Sequence, residues 1–183
     1  MSIQTGETST ATAPVAPLSP RFEEALVYAA RLHATQKRKG GKIPYISHLL
    51  SVSALVLEDG GNEDEAIAAL LHDALEDRAR FTSADEITRR FGQPVAEMVL
   101  ACSECVGSPK PPWAERKLTY LEHLRTASAS VRRISLADKL HNMRSLVRDY
   151  RQIGEALWLR FEGRRNDSLW FYQELLARKE VRK

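Results

Sequence analysis

Apolar positions along most of this chain recur every three or four residues, the spacing of one face of an α-helix. Phe22, Leu26, Ala29, Ala30 and His33 follow it, with Pro20 where a first turn tolerates proline. The stretch 40–45, Gly-Gly-Lys-Ile-Pro-Tyr, breaks the period and reads as a loop. A second helix is expected from His48 to Glu58, stopped by Gly60 and Gly61. Asn62 with Glu65 three residues on forms a capping box that opens a third helix, running through EDEAIAALLHDALED. Ser83 with Glu86 repeats the device, and Gly92 ends that helix. Further helices are expected near 95–103, 113–126, 131–150, 153–162 and 168–179, with a rigid loop at 107–112. No segment alternates with period two, so the chain reads as all-α.

Composition narrows the class of protein. With 183 residues, and about 150 residues to an ordinary domain, one domain is expected. Residues 1–20 hold seven Ser/Thr, three Pro and one charge, Glu7, and bury too little apolar surface to order themselves; they read as a disordered tail. The folded domain spans 21–179, and 180–183 form a basic tail. No apolar run approaches the ~20 residues of a membrane span, so no membrane association is expected. The N-terminus lacks a basic region followed by an apolar one, so no secretion signal is read there. Cys102 and Cys105 are too few for a disulfide framework and fit a reduced, cytoplasmic setting. Twenty-seven Lys and Arg against 24 Asp and Glu leave +3, too mild for a duplex nucleic-acid binder.

The third helix carries the first chemistry. In ALLHDALED, His72 and Asp73 adjoin Glu76 and Asp77 inside a frame of Ala and Leu that reads as buried. On one continuous helix His72 and Glu76 share a face, and Asp73 and Asp77 form a neighbouring pair. Buried carboxylates need a cation or a dense hydrogen-bond network, and a metal ion takes imidazole and carboxylate as ligands. The alternative is an exposed acidic helix end with His72 a satisfied core histidine. His48 after the glycine loop, and Asp138 one turn before Asn142 in LADKLHNMR, tip the balance towards two imidazoles and two carboxylates on three helices. The run 37–42 adds four cations in six residues just before His48, suited to phosphate.

These residues resemble a known family. The order His48, His72-Asp73, Asp138 looks like the metal-dependent phosphohydrolases named for their His-Asp pair. More narrowly, HATQKRKGGKIPYISH, ALLHDALED and LADKLHNMR resemble the hydrolase domain of RelA/SpoT-type alarmone enzymes over roughly 22–172, in the form of the single-domain small alarmone hydrolases. The resemblance implies an HD-type helical bundle in which His48, His72, Asp73 and Asp138 ligate one Mn²⁺. It implies that Glu76 and Asp77 orient and deprotonate the attacking water. It assigns Arg38, Lys39 and Tyr45 to the guanine end and the phosphates, and Asn142 to the nucleoside. The implied reaction removes the 3′-diphosphate of ppGpp or pppGpp, giving GDP or GTP and pyrophosphate. Lys117, with Arg116, points toward the substrate phosphates or else lies on the wet face of its helix.

Two rival readings keep parts of this picture. One is the same chemistry on another nucleotide: a nucleoside monophosphate, a triphosphate or NADPH. The other is a nucleotide-binding regulatory module with an inactive metal site. Leu49 and Arg78 stand where many relatives carry Pro and a small Thr, which bears on the substrate more than on the reaction. His33 reads as a core histidine or one that supports a ligand, His123 and His141 as surface or packing residues, and the two cysteines as buried thiols. Trp158, Phe161, Trp170, Phe171 and Tyr172 read as C-terminal core, or in part as the interface of a homo-oligomer.

Overall fold

The computed structural model describes residues 17–103 and 111–177. Of the tail expected over 1–20, residues 1–16 lie outside the described residues, as do the tail 180–183, the last two residues of the helix expected to 179, Cys105 and most of the loop 107–112, whereas Ser19 and Pro20 belong to the start of the first helix. Every regular element described is helical; an isolated antiparallel bridge between Lys37 and Pro44 closes the glycine loop.

Ser19 caps α1 (Pro20–Leu32), its hydroxyl accepting from the Arg21 amide. The glycine loop leads into α2 (Ile46–Glu58), whose N-cap is Tyr45. Asn62 and Glu65 form the expected capping box and start α3 (Glu63–Leu71), in which every residue from Glu65 to Leu71 is buried. Three of these are alanines, so neighbouring helices approach the α3 backbone closely; α1, α2, α6 and α8 all pack on it.

The third helix is not continuous. Asp73 has φ −96° and ψ 0°, outside the helical region, and a four-residue α4 (Ala74–Asp77) resumes after it. The expectation of one helix through EDEAIAALLHDALED is therefore corrected: a segment buried on all sides carries no polar stripe whose phase would betray a one-residue break. Ser83 caps α5 (Ala84–Phe91), and Gly92 turns directly into α6 (Gln93–Cys102).

The longer α7 (Trp113–Thr126) and α8 (Ala129–Ile153) follow, the latter capped by Ser128. A 3₁₀ turn over Gly154–Arg160 stands where an ordinary helix was expected, and α9 (Arg164–Ala177) closes the described chain. The main core gathers Leu49, Val52, Ile67, Leu70, Leu71, Phe91 and Ile134 around α3. A second cluster, Tyr120, Leu121, Leu124 and Phe171, lies between α7 and α9. Arg133 of α8 bonds Asp59 at 2.9 Å and the buried Glu65 at 2.6 Å, tying α8 to the start of α3. Among the described residues no helix is long and apolar enough to cross a membrane.

Candidate metal centre and nucleotide cavity

His48 sits in the first turn of α2, His72 at the C-terminal end of α3, Asp73 in the α3–α4 break and Asp138 in mid α8. Packing of α2 and α8 on α3 brings the four to one point. His48 Nε2 lies 3.2 Å from Asp138 Oδ1 and 3.6 Å from Asp73 Oδ2. His72 Nε2 lies 3.0 Å from Asp73 Oδ2 and 3.8 Å from Asp138 Oδ1. Ligand atoms of His48, His72 and Asp138 fall within 4.8 Å of one another, and all three residues are buried.

The donor set fits a divalent cation. His72 Nδ1 donates to the Ala69 carbonyl at 2.7 Å, so in the neutral form of the ring the lone pair lies on Nε2 and points inward. That Nε2 is buried and makes no hydrogen bond, yet it faces two carboxylate oxygens. A lone pair and two anionic oxygens around one buried point require positive charge between them. The titration behaviour says the same. Burial opposes the His72 imidazolium, but Asp73 and then Asp138 outweigh it and raise its pKa well above the ordinary histidine value. Burial would lift both aspartates; His72 and His48 hold Asp73 well below the usual carboxylate range, and Lys139 with the two histidines does so for Asp138.

A surrounding set of bonds fixes these groups. Tyr45 donates its hydroxyl to Asp73 Oδ2 at 2.6 Å. Burial, then Asp73 and Asp77, push that phenol far above its ordinary value, so it stays a donor. Lys139 holds Asp138 Oδ2 at 2.7 Å, and Asn142 Nδ2 donates to Asp138 Oδ1 at 2.5 Å. His33 is buried and stacked on Tyr45, centroids 5.4 Å apart, behind the hydroxyl that bonds Asp73. His141 departs from expectation. Read as a surface or packing residue, it places Nδ1 2.7 Å from Nδ1 of His48. Its pKa falls to about 4, through burial and then the nearby His48 and Arg38. The signal available in sequence was its place three residues after Asp138, on the same helical face.

A cavity of about 580 Å³ opens beside this cluster, bordered by Tyr45, Lys139 and Asn142, each bonded to one of the two aspartates. Its walls carry Lys37, Arg38, Lys39, Arg116, Lys117, Lys139 and Arg148 against Asp77, Asp149 and Glu162. The volume and the cationic excess suit a phosphorylated molecule of nucleotide size. Arg38 bonds Asn142 Oδ1 at 2.6 Å and lies over the Tyr45 ring. Lys39 sits over Phe161, and Lys117 over Phe171. Arg116 is committed to Glu162 at 3.0 Å. Asp77 reaches the cavity and accepts from Gln36 at 2.6 Å, while Glu76 is half-buried just before it on α4. Arg78 is not among the cavity's lining residues; its Nε and Nη2 are buried without hydrogen-bond partners. Cys102 is half-buried beside Ser135, its thiol pushed up to about 11 by burial.

Fold and centre together define an all-α protein with a buried His, His-Asp, Asp site at the edge of a cationic cavity. The HD domain family model matches residues 25–166, and the chain belongs to that family. It is 41% identical over 128 residues to the guanosine-3′,5′-bis(diphosphate) 3′-pyrophosphohydrolase MESH1 of Xenopus tropicalis, covering 68% of this chain and 69% of that one. The human protein of the same name is 37% identical over the same coverage. A solved structure of a metazoan ortholog of SpoT that hydrolyses ppGpp superposes with TM-score 0.64 at 27% identity, covering 93% of this chain and 99% of that one.

Proposed function

We propose that this protein is a metal-dependent hydrolase of the alarmones ppGpp and pppGpp, releasing pyrophosphate from the 3′ position and leaving GDP or GTP. The observation that carries this reading is the junction itself: ligand atoms of His48, His72 and Asp138 gathered within 4.8 Å of one another, with the Asp73 carboxylate against both imidazoles, at the edge of a cavity lined with cations. The likeness to MESH1 supports the choice of substrate.

His48, His72, Asp73 and Asp138 would hold the ion, with manganese the choice in this reading and the cytoplasm its setting. Once bound, a divalent ion would polarise phosphoryl oxygens and lower the pKa of water. The chain's own residues do the rest. Asp77 and Glu76, on one turn of α4, take the proton of the attacking water. Water adds to the phosphorus attached to the ribose 3′ oxygen, that P–O bond breaks, and the proton returns to the departing 3′ oxygen. Arg38, Lys39 and Lys117 neutralise the phosphates, and the Arg38–Tyr45 stack offers a flat face at the guanine end. Asn142, beside Arg38, faces the nucleoside.

Incubation with ppGpp and Mn²⁺, followed by anion-exchange separation, should yield GDP and pyrophosphate. Intact ppGpp with metal-loaded protein would overturn the reading, and turnover of another nucleotide from a panel including NADPH would redirect it. Asp73→Ala should abolish both metal binding and turnover. Glu76→Ala should keep the metal and lose rate by about 10²–10⁴-fold, the usual worth of a positioned general base.

A further inference from the structure

We propose that His141 is a positioning residue for the metal centre: its Nδ1 accepts the Nδ1 proton of His48 and so turns the lone pair of His48 Nε2 toward the two aspartates. The inference rests on the reading of His48 as a metal ligand and extends it to a residue that touches neither the ion nor the nucleotide.

The argument is one of proton counting. His48 is fully buried, and its two ring nitrogens face opposite surroundings. Nε2 faces Asp138 and Asp73, while Nδ1 faces Nδ1 of His141 at 2.7 Å. Two nitrogens that close share a single proton, because two lone pairs or two N–H groups would repel. If the proton sits on His141, His48 carries its own on Nε2 and points it at Asp138, in the place a cation needs. If it sits on His48 Nδ1, the Nε2 lone pair is free to ligate. A ligating histidine is commonly held in this way by an acceptor at its second nitrogen. Here a second imidazole fills the role usually taken by a carboxylate or a carbonyl.

The tertiary arrangement makes His141 able to do so. It follows Asp138 by three residues on α8, so one turn of that helix supplies a ligand and the acceptor for another ligand on α2. The ring centroids lie 4.8 Å apart with the planes tilted by 40°, while the two Nδ1 atoms meet at 2.7 Å.

Side-chain geometry gives the test its discrimination. Asn places its carbonyl oxygen where Nδ1 of histidine stands; Gln carries the oxygen one bond further out; Leu has no acceptor. Metal-stripped wild type, His141→Asn, His141→Gln and His141→Leu would be titrated with MnCl₂ by calorimetry, with thermal melts before metal addition to check folding. Leu and Gln should weaken Mn²⁺ binding by about 10–100-fold, and Asn should stay within about threefold of wild type. A Leu variant that binds as tightly as wild type, or an Asn variant as weak as Leu, overturns the proposal. A measurement on the wild type does not depend on variants folding. With Zn²⁺ bound, ¹⁵N spectra of the histidine rings should show His48 protonated at Nδ1 and His141 unprotonated there, and the reverse pattern overturns it. Neither measurement involves nucleotide, so failure to hydrolyse ppGpp leaves both intact. A wild-type protein that binds no divalent ion overturns the metal reading and this inference together.

Discussion

Asp138 divides its two oxygens between opposite tasks. Oδ2 is held by Lys139, and Oδ1 faces the two imidazoles while accepting from Asn142. The Asn142 amide thus links Asp138 to Arg38, whose guanidinium bonds its oxygen. Asn142→Ala removes two charge-assisted bonds at once, each worth about 1.5–3 kcal/mol. Steady-state kinetics on ppGpp should show kcat/KM lower by about 10–100-fold, with KM raised because Arg38 loses its anchor. Cys102 is the opposite kind of residue, a thiol that burial keeps protonated. At pH 8 its alkylation by iodoacetamide, mapped by tandem mass spectrometry, should lag far behind that of a free cysteine peptide, because the thiolate is the reactive form. At this scale the residues that cluster were legible, since imidazole and carboxylate inside apolar runs stand out on their own. His141 was not, because its importance lies in a nitrogen on another helix.

Among the elements, α3 decides the most. Its start was legible: Asn62 and Glu65 close the capping box expected from their spacing, with bonds of 3.0 Å and 2.7 Å. Losing that cap in Asn62→Ala should cost about 1 kcal/mol, read as a lower midpoint in urea with an unchanged slope. Its end was not legible. The break at Asp73 separates the face that carries His72 from the turn that carries Glu76 and Asp77, and sends Asp77 to the cavity. Local periodicity is silent there because Ala68 to Leu71 are buried on all sides. Interior packing is correspondingly unforgiving, and Leu70→Ala should destabilise by about 2–5 kcal/mol in the same assay.

The whole molecule places its cavity between two clusters. The elements around the main core carry the candidate metal centre, Tyr45 and Asp77; α7 and α9 carry Trp113, Lys117 and Phe171. Cations from both sides meet there, so attraction of a polyanion belongs to the assembled surface rather than to any one helix. Raising salt from 50 to 500 mM should therefore raise KM for ppGpp much more than it lowers kcat, since screening weakens capture more than chemistry in a partly enclosed site.

Helical periodicity, caps, glycine stops and three polar motifs in apolar frames determined most of the helices, the candidate ligands and the cationic loop, because each depends on residues within a few positions of one another. Tertiary structure decided the rest: the hydroxyl of Tyr45 on Asp73, His141 against His48, Arg38 on Asn142, and Phe161 and Lys117 at one cavity. Those pairings cross from 28 to 104 positions where hydrogen bonds record them, and no local pattern encodes which faces of distant helices come into contact. The burial of apolar surface sets those faces together, and only then do the polar atoms find one another.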